Sequence, residues 1–412
     1  MLVNKHFLYG IFFFFLFYVE TITIFGIKIA ILWKIPLLIY MSLFILYSSK
    51  KINSYILTWG YLFNFQLLFS ISAITNLVLT FSSISRSIVF PLFFHYFNKK
   101  GYSSKLKLYL KNISIFSILS TIPFLLNLIE PLSGTSGYDL SIYGLEETGF
   151  VGVFQSAHPA SMSLSIAVIN VAYFFTKEKN KKKRFFYLFL VIIGLYAIFQ
   201  TYVRTGLLMT AIGLIILVFK KFSLRFFINS SVFLIIGGLM SIYIYNNNDA
   251  LKMRFNDQNI YNKNKSNELN FNTVGSGRLV IAAYAIDNWW SEGTYSIFFG
   301  LGEPLAREKM NNTKGSEVFA HNGIVEVLQT QGLTGILIMF LFYRSIYRLI
   351  IFNKGSEYYK LNIAVFCSYF VGFIVQGNDL FLVYLMFAIS LSLLKTDNTN
   401  KNLLSNNLQI KI

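Results

Sequence analysis

Cysteine is almost missing from this chain: Cys367 is the single one in 412 residues, and it lies in an apolar stretch. Intrachain disulfides and cysteine-based metal sites are thereby excluded. Charge is scarce too, at 13% of residues where an ordinary soluble domain carries roughly a quarter. Acidic residues are the scarcer sign, 18 against 36 lysines and arginines. There is no P-loop, no Rossmann glycine pattern and no HExxH, so ATP-driven transport and zinc proteolysis lack their usual machinery. No metal and no cofactor is expected. Nor is there an internal repeat of the kind that doubles many transporters.

Hydrophobic residues fill the space, at 55% of the chain. Apolar runs long enough to cross a hydrocarbon layer of about 30 Å fall at 7–25, 29–47, 54–72, 76–97, 112–130, 155–175, 185–203, 205–219, 226–245, 323–342, 361–376 and 380–394. The expected fold is an all-α integral membrane protein of about twelve transmembrane helices, a single polytopic domain over 1–412. The first run reads as a retained anchor, since no small-residue cleavage site follows it. The division of 54–97 into the third and fourth helices is open to more than one partition.

The basic connections "SSKK", "NKKGYSSKLKLYLK", "KEKNKKKR", "KKFSLR" and "YRSIYRLIIFNKGSEYYK" alternate along the helix count, which assigns them to the cytoplasm together with both termini. Segments 130–152 and 246–322 are then expected outside, the latter as one large periplasmic loop. The net charge of +18 is a signal of topology and gives no ground for nucleic-acid binding. The stretch "DQNIYNKNKSNELNFNTVGSG" reads as a loop portion, not a domain.

Chemistry is sought where polar groups gather outside the membrane. In "GSGRLVIAAYAIDNWW" the apolar spacing predicts an amphipathic helix, capped by Ser276 after a tight glycine turn. Arg278 then falls in the first turn, where free N–H groups and the helix dipole already favour an anion, and its planar fork suits phosphate. The plainer reading is an arginine facing water. Arg204, in "QTYVRTGLLM", sits between two apolar runs with almost no loop; it faces either an anionic partner or the lipid headgroups. Arg86, in "SSISRSIVF", is a substrate-binding candidate of the same kind. His321, one of four histidines, precedes a long apolar helix in "AHNGIVEVLQTQGLTG". It is a candidate general base near neutral pKa, with a helix-capping role as the alternative. Glu317 and Asn322 flank it as further substrate-binding candidates, with Glu326 beyond. Trp289 and Trp290 offer faces for sugar stacking, although interfacial aromatic belts are the commoner use.

Taken in order, "TGFVGVFQSAHPASMSLS", "TYVRTGLLM", "SGRLVIAAYAIDNWW" followed by "FFGLGE", and "HNGIVEVLQTQGLTGI" resemble the O-antigen polymerase and O-antigen ligase superfamily over about residues 148–345. At His158-Pro159 the chain has Ala160 where members of that family often have Asn. The resemblance implies a GT-C-like, metal-independent glycosyltransferase of the bacterial inner membrane, using an oligosaccharide on undecaprenyl diphosphate as donor. It further implies that Arg204 and Arg278 hold the diphosphate, and that His321 assists the acceptor hydroxyl or contacts the diphosphate. A polymerase of repeat units for O-antigen or capsular polysaccharide is expected ahead of a ligase acting on the lipid A core, and either ahead of a flippase or other transporter. The implied partners are the lipid-linked oligosaccharide and the bilayer, with a chain-length regulator and a flippase as associated proteins.

Overall fold

A computed structural model describes residues 23–24, 27–48, 55–100, 103–129, 150–154, 156–218, 278–314, 322–377 and 380–394. The expected helix at 7–25, apart from Thr23 and Ile24, which are extended, the helix at 226–245, segment 130–149, and residues 246–277 and 315–321 of the large loop lie outside the described residues. So do both chain ends.

Apart from a two-residue strand pair, β1 (Thr23–Ile24) with antiparallel β2 (Ile27–Lys28), the described regular structure is helical. The chain continues through α1 (Ile29–Tyr47), α2 (Tyr55–Phe65), a 3-10 turn at Gln66–Phe69, α3 (Ile71–Thr75), α4 (Leu77–Ser87), α5 (Val89–Lys100), α6 (Ser103–Leu119) and α7 (Ile122–Leu125). Then come α8 (Ala157–Lys177), α9 (Lys181–Gln200), α10 (Arg204–Val218), α11 (Arg278–Ser291), α12 (Thr294–Phe299), α13 (Glu303–Lys314), α14 (Gly323–Phe352), α15 (Tyr359–Gln376) and α16 (Phe381–Leu394).

Among the described residues, five helical stretches are long and apolar enough to cross a membrane: Lys105–Leu125, α8, α9, α14 and α15. A sixth is obtained if α4 and α5, bent by 48° at their junction, are counted as one broken span. Three shorter apolar helices, Ile35–Tyr47, α10 and α16, complete the set. The twelve spans expected from hydropathy are therefore found only in part. The run at 54–72 is not one helix, because the chain tightens into the 3-10 turn at Gln66 and restarts at Ile71.

The core is centred on α8. Nearly every residue from Ala160 to Phe174 is buried, and α6, α9, α10 and α15 surround it. In lipid there is little hydrophobic drive for helices to associate, so close approach through small residues and interhelical hydrogen bonds must supply it. Both occur here. At Gly206 of α10 an added Cβ would lie 1.6 Å from Ser161 Oγ of α8, and Ser165 Oγ donates to Gly206 O at 2.9 Å. On the next face Ser368 Oγ of α15 donates to Met209 O at 2.7 Å, and Gly213 fits against Ile169 and Ser368. Deeper in, Asn170 Nδ2 donates to Ser114 Oγ of α6 at 3.0 Å.

Helix α14 is broken. Gly332 has φ 68° and ψ −165°, a conformation available essentially to glycine alone. In a continuous helix the carbonyls of Gln329 and Thr330 would accept from the amides four residues on. Instead they accept from Leu301 N at 2.8 Å and Gly302 N at 2.9 Å. The strap that carries these amides is itself held to α3, since Ile71 N donates to Gly300 O and Ser72 N to Leu301 O at 3.1 and 2.9 Å. Thr334 Oγ1 donates to Phe298 O at 2.7 Å and accepts from Gln66 Nε2 at 2.5 Å. Two carbonyls freed by the break thus find backbone donors again, at about 1 kcal/mol of net stability per bond.

Candidate active site

Three helices begin at one end of the bundle. Ser161 of α8 and Gly206 of α10, each within two turns of its helix start, touch across the small-residue seam. Helix α10 packs on the last turns of α15, where an added Cβ at Gly372 would meet Met209 Sδ at 2.5 Å and Met162 Cε at 2.9 Å. The same end of α15 meets the start of α14: Gly323 abuts Phe373 O, and Gly377, left-handed at φ 70°, leaves room for the Glu326 carboxylate. The N-termini of α8, α10 and α14 therefore share a mouth with the C-terminus of α15. The starts of α8 and α10 bring backbone N–H groups and the positive ends of their dipoles to this mouth, while at α14 Asn322 takes up two of the amides and Glu326 stands in the first turn.

A fourth helix start joins them. Ile281 and Ala285 of α11 pack with Met310 of α13 and Val325 in the first turn of α14. Arg278, the first residue of α11, is one turn ahead of Ile281 and so stands beside the mouth. The helix expected from apolar spacing is present over Arg278–Ser291.

Arg204 is the first residue of α10 and is half-buried. A three-residue turn delivers it: Tyr202 is left-handed at φ 54°, Thr201 Oγ1 donates to Ile198 O at 2.6 Å, and Val203 N donates to Thr201 Oγ1 at 3.2 Å. Thr201, Tyr202 and Val203 are all buried, so the left-handed turn, which costs an aromatic residue about 1 kcal/mol or more, is held by its surroundings. Asn322 is the N-cap of α14, its Oδ1 accepting from Ile324 N at 3.0 Å and Val325 N at 3.2 Å. Its amide nitrogen has no acceptor among the described residues. His321 and Glu317 lie outside the described residues; the chain next to His321 is at the mouth, and the capping of α14 is supplied by Asn322.

The other candidates are elsewhere. Trp289 and Trp290 occupy the far end of α11, about 16 Å along the axis from Arg278. Trp289 is buried, its Nε1 donates to Ser296 O at 2.8 Å and Ser296 Oγ donates back to Trp289 O at 2.8 Å, so its ring closes the α11–α12 corner. Trp290, tilted against it with centroids 5.8 Å apart, is 63% exposed. Arg86 belongs to a separate cluster in which its Nη2 donates to both Glu303 oxygens, at 2.8 and 2.7 Å, while Arg307 Nη2 donates to Glu303 Oε1 at 2.5 Å. Burial pushes the Glu303 carboxyl upward, but the Ser83 hydroxyl and the two guanidinia outweigh it and hold the group below its ordinary value. The contribution of the cluster is thus complete above the usual carboxylate range and lost as pH falls through the lowered value. Glu303 and Arg307 carried no signal in the sequence beyond the "FFGLGE" stretch. Among the described residues no group of histidine, cysteine and carboxylate side chains could hold a metal ion.

The arrangement defines a class: a multi-pass helical membrane protein in which several helix starts, one of them opened by Arg204, lie together at one end of the bundle. Residues 161–340 match the family model described as O-antigen ligase. The matched segment spans the seam of α8, the starts of α10 and α11 and the break in α14, and over it the chain is similar to the O-antigen polymerase and ligase superfamily, whose members are membrane enzymes acting on polysaccharide. No curated protein matches the chain.

If Arg204 and Arg278 grip a diphosphate through their forks, Arg204→Lys and Arg278→Lys are expected to keep the protein inserted and to lose most activity, because an ammonium cannot bind two oxygens at once. Wild-type polysaccharide from both variants at equal expression would reduce the arginines to membrane anchors.

Proposed function

We propose that the protein is a metal-independent glycosyltransferase of the bacterial inner membrane that polymerises undecaprenyl-diphosphate-linked oligosaccharide repeat units, into O-antigen or capsular polysaccharide, at the periplasmic face. The observation that carries this reading is the convergence of the starts of α8, α10, α11 and α14 with Arg204 at a single mouth. In the proposed reaction an acceptor hydroxyl oxygen bonds to the anomeric carbon of the donor and the glycosyl–phosphate bond breaks. Its electron pair leaves with the diphosphate, and the hydroxyl proton passes to His321. Helix starts and guanidinia are suited to this step because they are aimed in advance at charge that grows on the leaving group. Both chain ends and the basic connections are assigned to the cytoplasm, as the alternation of charge along the sequence requires.

A ligase that transfers finished polymer to the lipid A core would use the same mouth. The two are separated by gel analysis of surface polysaccharide from a strain lacking the gene. Core carrying one repeat unit and no longer chains is the expected result; loss of every unit, with lipid-linked polymer accumulating, would make the protein a ligase.

A further inference from the structure

The cluster around Glu303 has a geometry that a surface ion pair does not need. Arg86 is two residues before the 48° bend between α4 and α5, and its side chain is half-exposed. All three of its hydrogen bonds use Nη2: to the two oxygens of Glu303 and, at 3.4 Å, to Ser83 Oγ. Both N–H groups of Nη1 and that of Nε have no acceptor among the described residues. Arg307, four residues after Glu303, donates to the same carboxylate, so the two guanidinia share it.

Beside it, α3 and α4 expose a strip of apolar side chains. Ile74, Leu77, Val78 and Phe81 are exposed, whereas Thr80 and Ser83 are buried. An apolar surface of this kind faces lipid. The pinned guanidinium, half-exposed, stands beside this strip with three N–H donors that have no acceptor among the described residues. An arginine that merely snorkels to headgroups needs no carboxylate to fix its direction.

From this juxtaposition we propose that Arg86, held by Glu303 and flanked by Arg307, forms a second phosphate site, which takes the diphosphate of the acceptor polyprenyl-linked repeat unit while its lipid chain lies along α3 and α4. The inference rests on the polymerase reading given above, in which two lipid diphosphates must be bound together and only the donor's leaves. The acceptor's diphosphate does not change charge during transfer, so it calls for a holding site of low net charge instead of the concentration of helix starts at the mouth. Helix α13 connects the two sites: Glu303 is seven residues, or about 10 Å, from Met310, which packs on Ile281 one turn from Arg278.

The test is the stoichiometry of undecaprenyl diphosphate bound to the full chain in nanodiscs of phosphatidylcholine, read by native mass spectrometry. Wild type is expected to bind two equivalents and Arg86→Ala one. Arg86→Lys, which keeps the ion pair and so guards against misfolding, is expected to weaken the second equivalent by about tenfold or more, as for the loss of one charge-assisted hydrogen bond. Saturation of wild type at one equivalent would overturn the site. So would displacement of the second equivalent by an equal amount of phosphatidylglycerol, since Arg86 would then be a headgroup anchor. Arg204→Ala separates the two claims. Loss of an equivalent in Arg204→Ala with two retained in Arg86→Ala leaves the mouth intact and removes the second site; the reverse pattern removes the mouth and leaves Arg86.

Discussion

Replacing His321 by alanine is expected to leave the protein inserted and expressed while lowering chain extension by about 10²- to 10⁴-fold, the usual cost of removing a general base or a transition-state contact. The structure sharpens this expectation at one point. The N-cap of α14 is Asn322, whose Oδ1 already accepts from two backbone amides, so loss of the imidazole leaves those capping bonds in place. His321→Gln divides the remaining roles. An amide can donate a hydrogen bond to diphosphate but cannot take up a proton from a hydroxyl. Partial activity in the Gln variant, measured as polymer formed by purified protein from lipid-linked repeat units, assigns phosphate contact. Complete loss in Gln as well as Ala assigns proton transfer. Unchanged polymer in the Ala variant would move the search to Glu317 and Glu326.

The second large effect is structural. Gly332→Ala is expected to destabilise the folded protein by about 3 kcal/mol or more, the sum of a backbone conformation that costs side-chain-bearing residues of order 1–3 kcal/mol and a steric clash. The added Cβ would lie 2.5 Å from the carbonyl carbon and oxygen of Phe298 and 2.7 Å from Gly300 N, atoms of backbone that cannot swing aside. Gly300→Ala should behave alike, since its Cβ would meet Gln331 N and the Thr330 carbonyl carbon at 2.3 Å. Thermal melting in detergent, with polysaccharide profiles at matched expression, checks both. Wild-type melting of Gly332→Ala would mean that α14 runs unbroken.

What could be read in advance was local. Arg204 opening α10, the helix over Arg278–Ser291 and the helix following Asn322-Gly323 all depend on residues within a turn or two of each other, where caps, apolar spacing and turn chemistry act. What escaped was set by distant partners. Arg86 and Glu303 are 217 residues apart, and neither has a neighbour that announces the other. Trp289 and Trp290 are adjacent and equally aromatic; which of them is buried is decided by Ser296 across the corner. Hydropathy over 54–72 reads as one span because Gln66, Ser70 and Ser72 are few among apolar residues. Yet Gln66 donates to Thr334, and the backbone of Ser72 donates to the strap, and these ties divide the run. The break in α14 is marked by Gly332, but only the strap from 298 to 302 shows why a glycine is required there.

That strap joins α12, α3 and the two halves of α14 almost wholly through amides and carbonyls. Every amino acid except proline brings the same amide and carbonyl, so these bonds do not depend on an exposed side chain such as that of Phe298. In the polymerase proposed above this gives a division of labour. The residues that meet the glycan can be exchanged one at a time to suit a new repeat unit, while the frame that aims the helix starts stays in register.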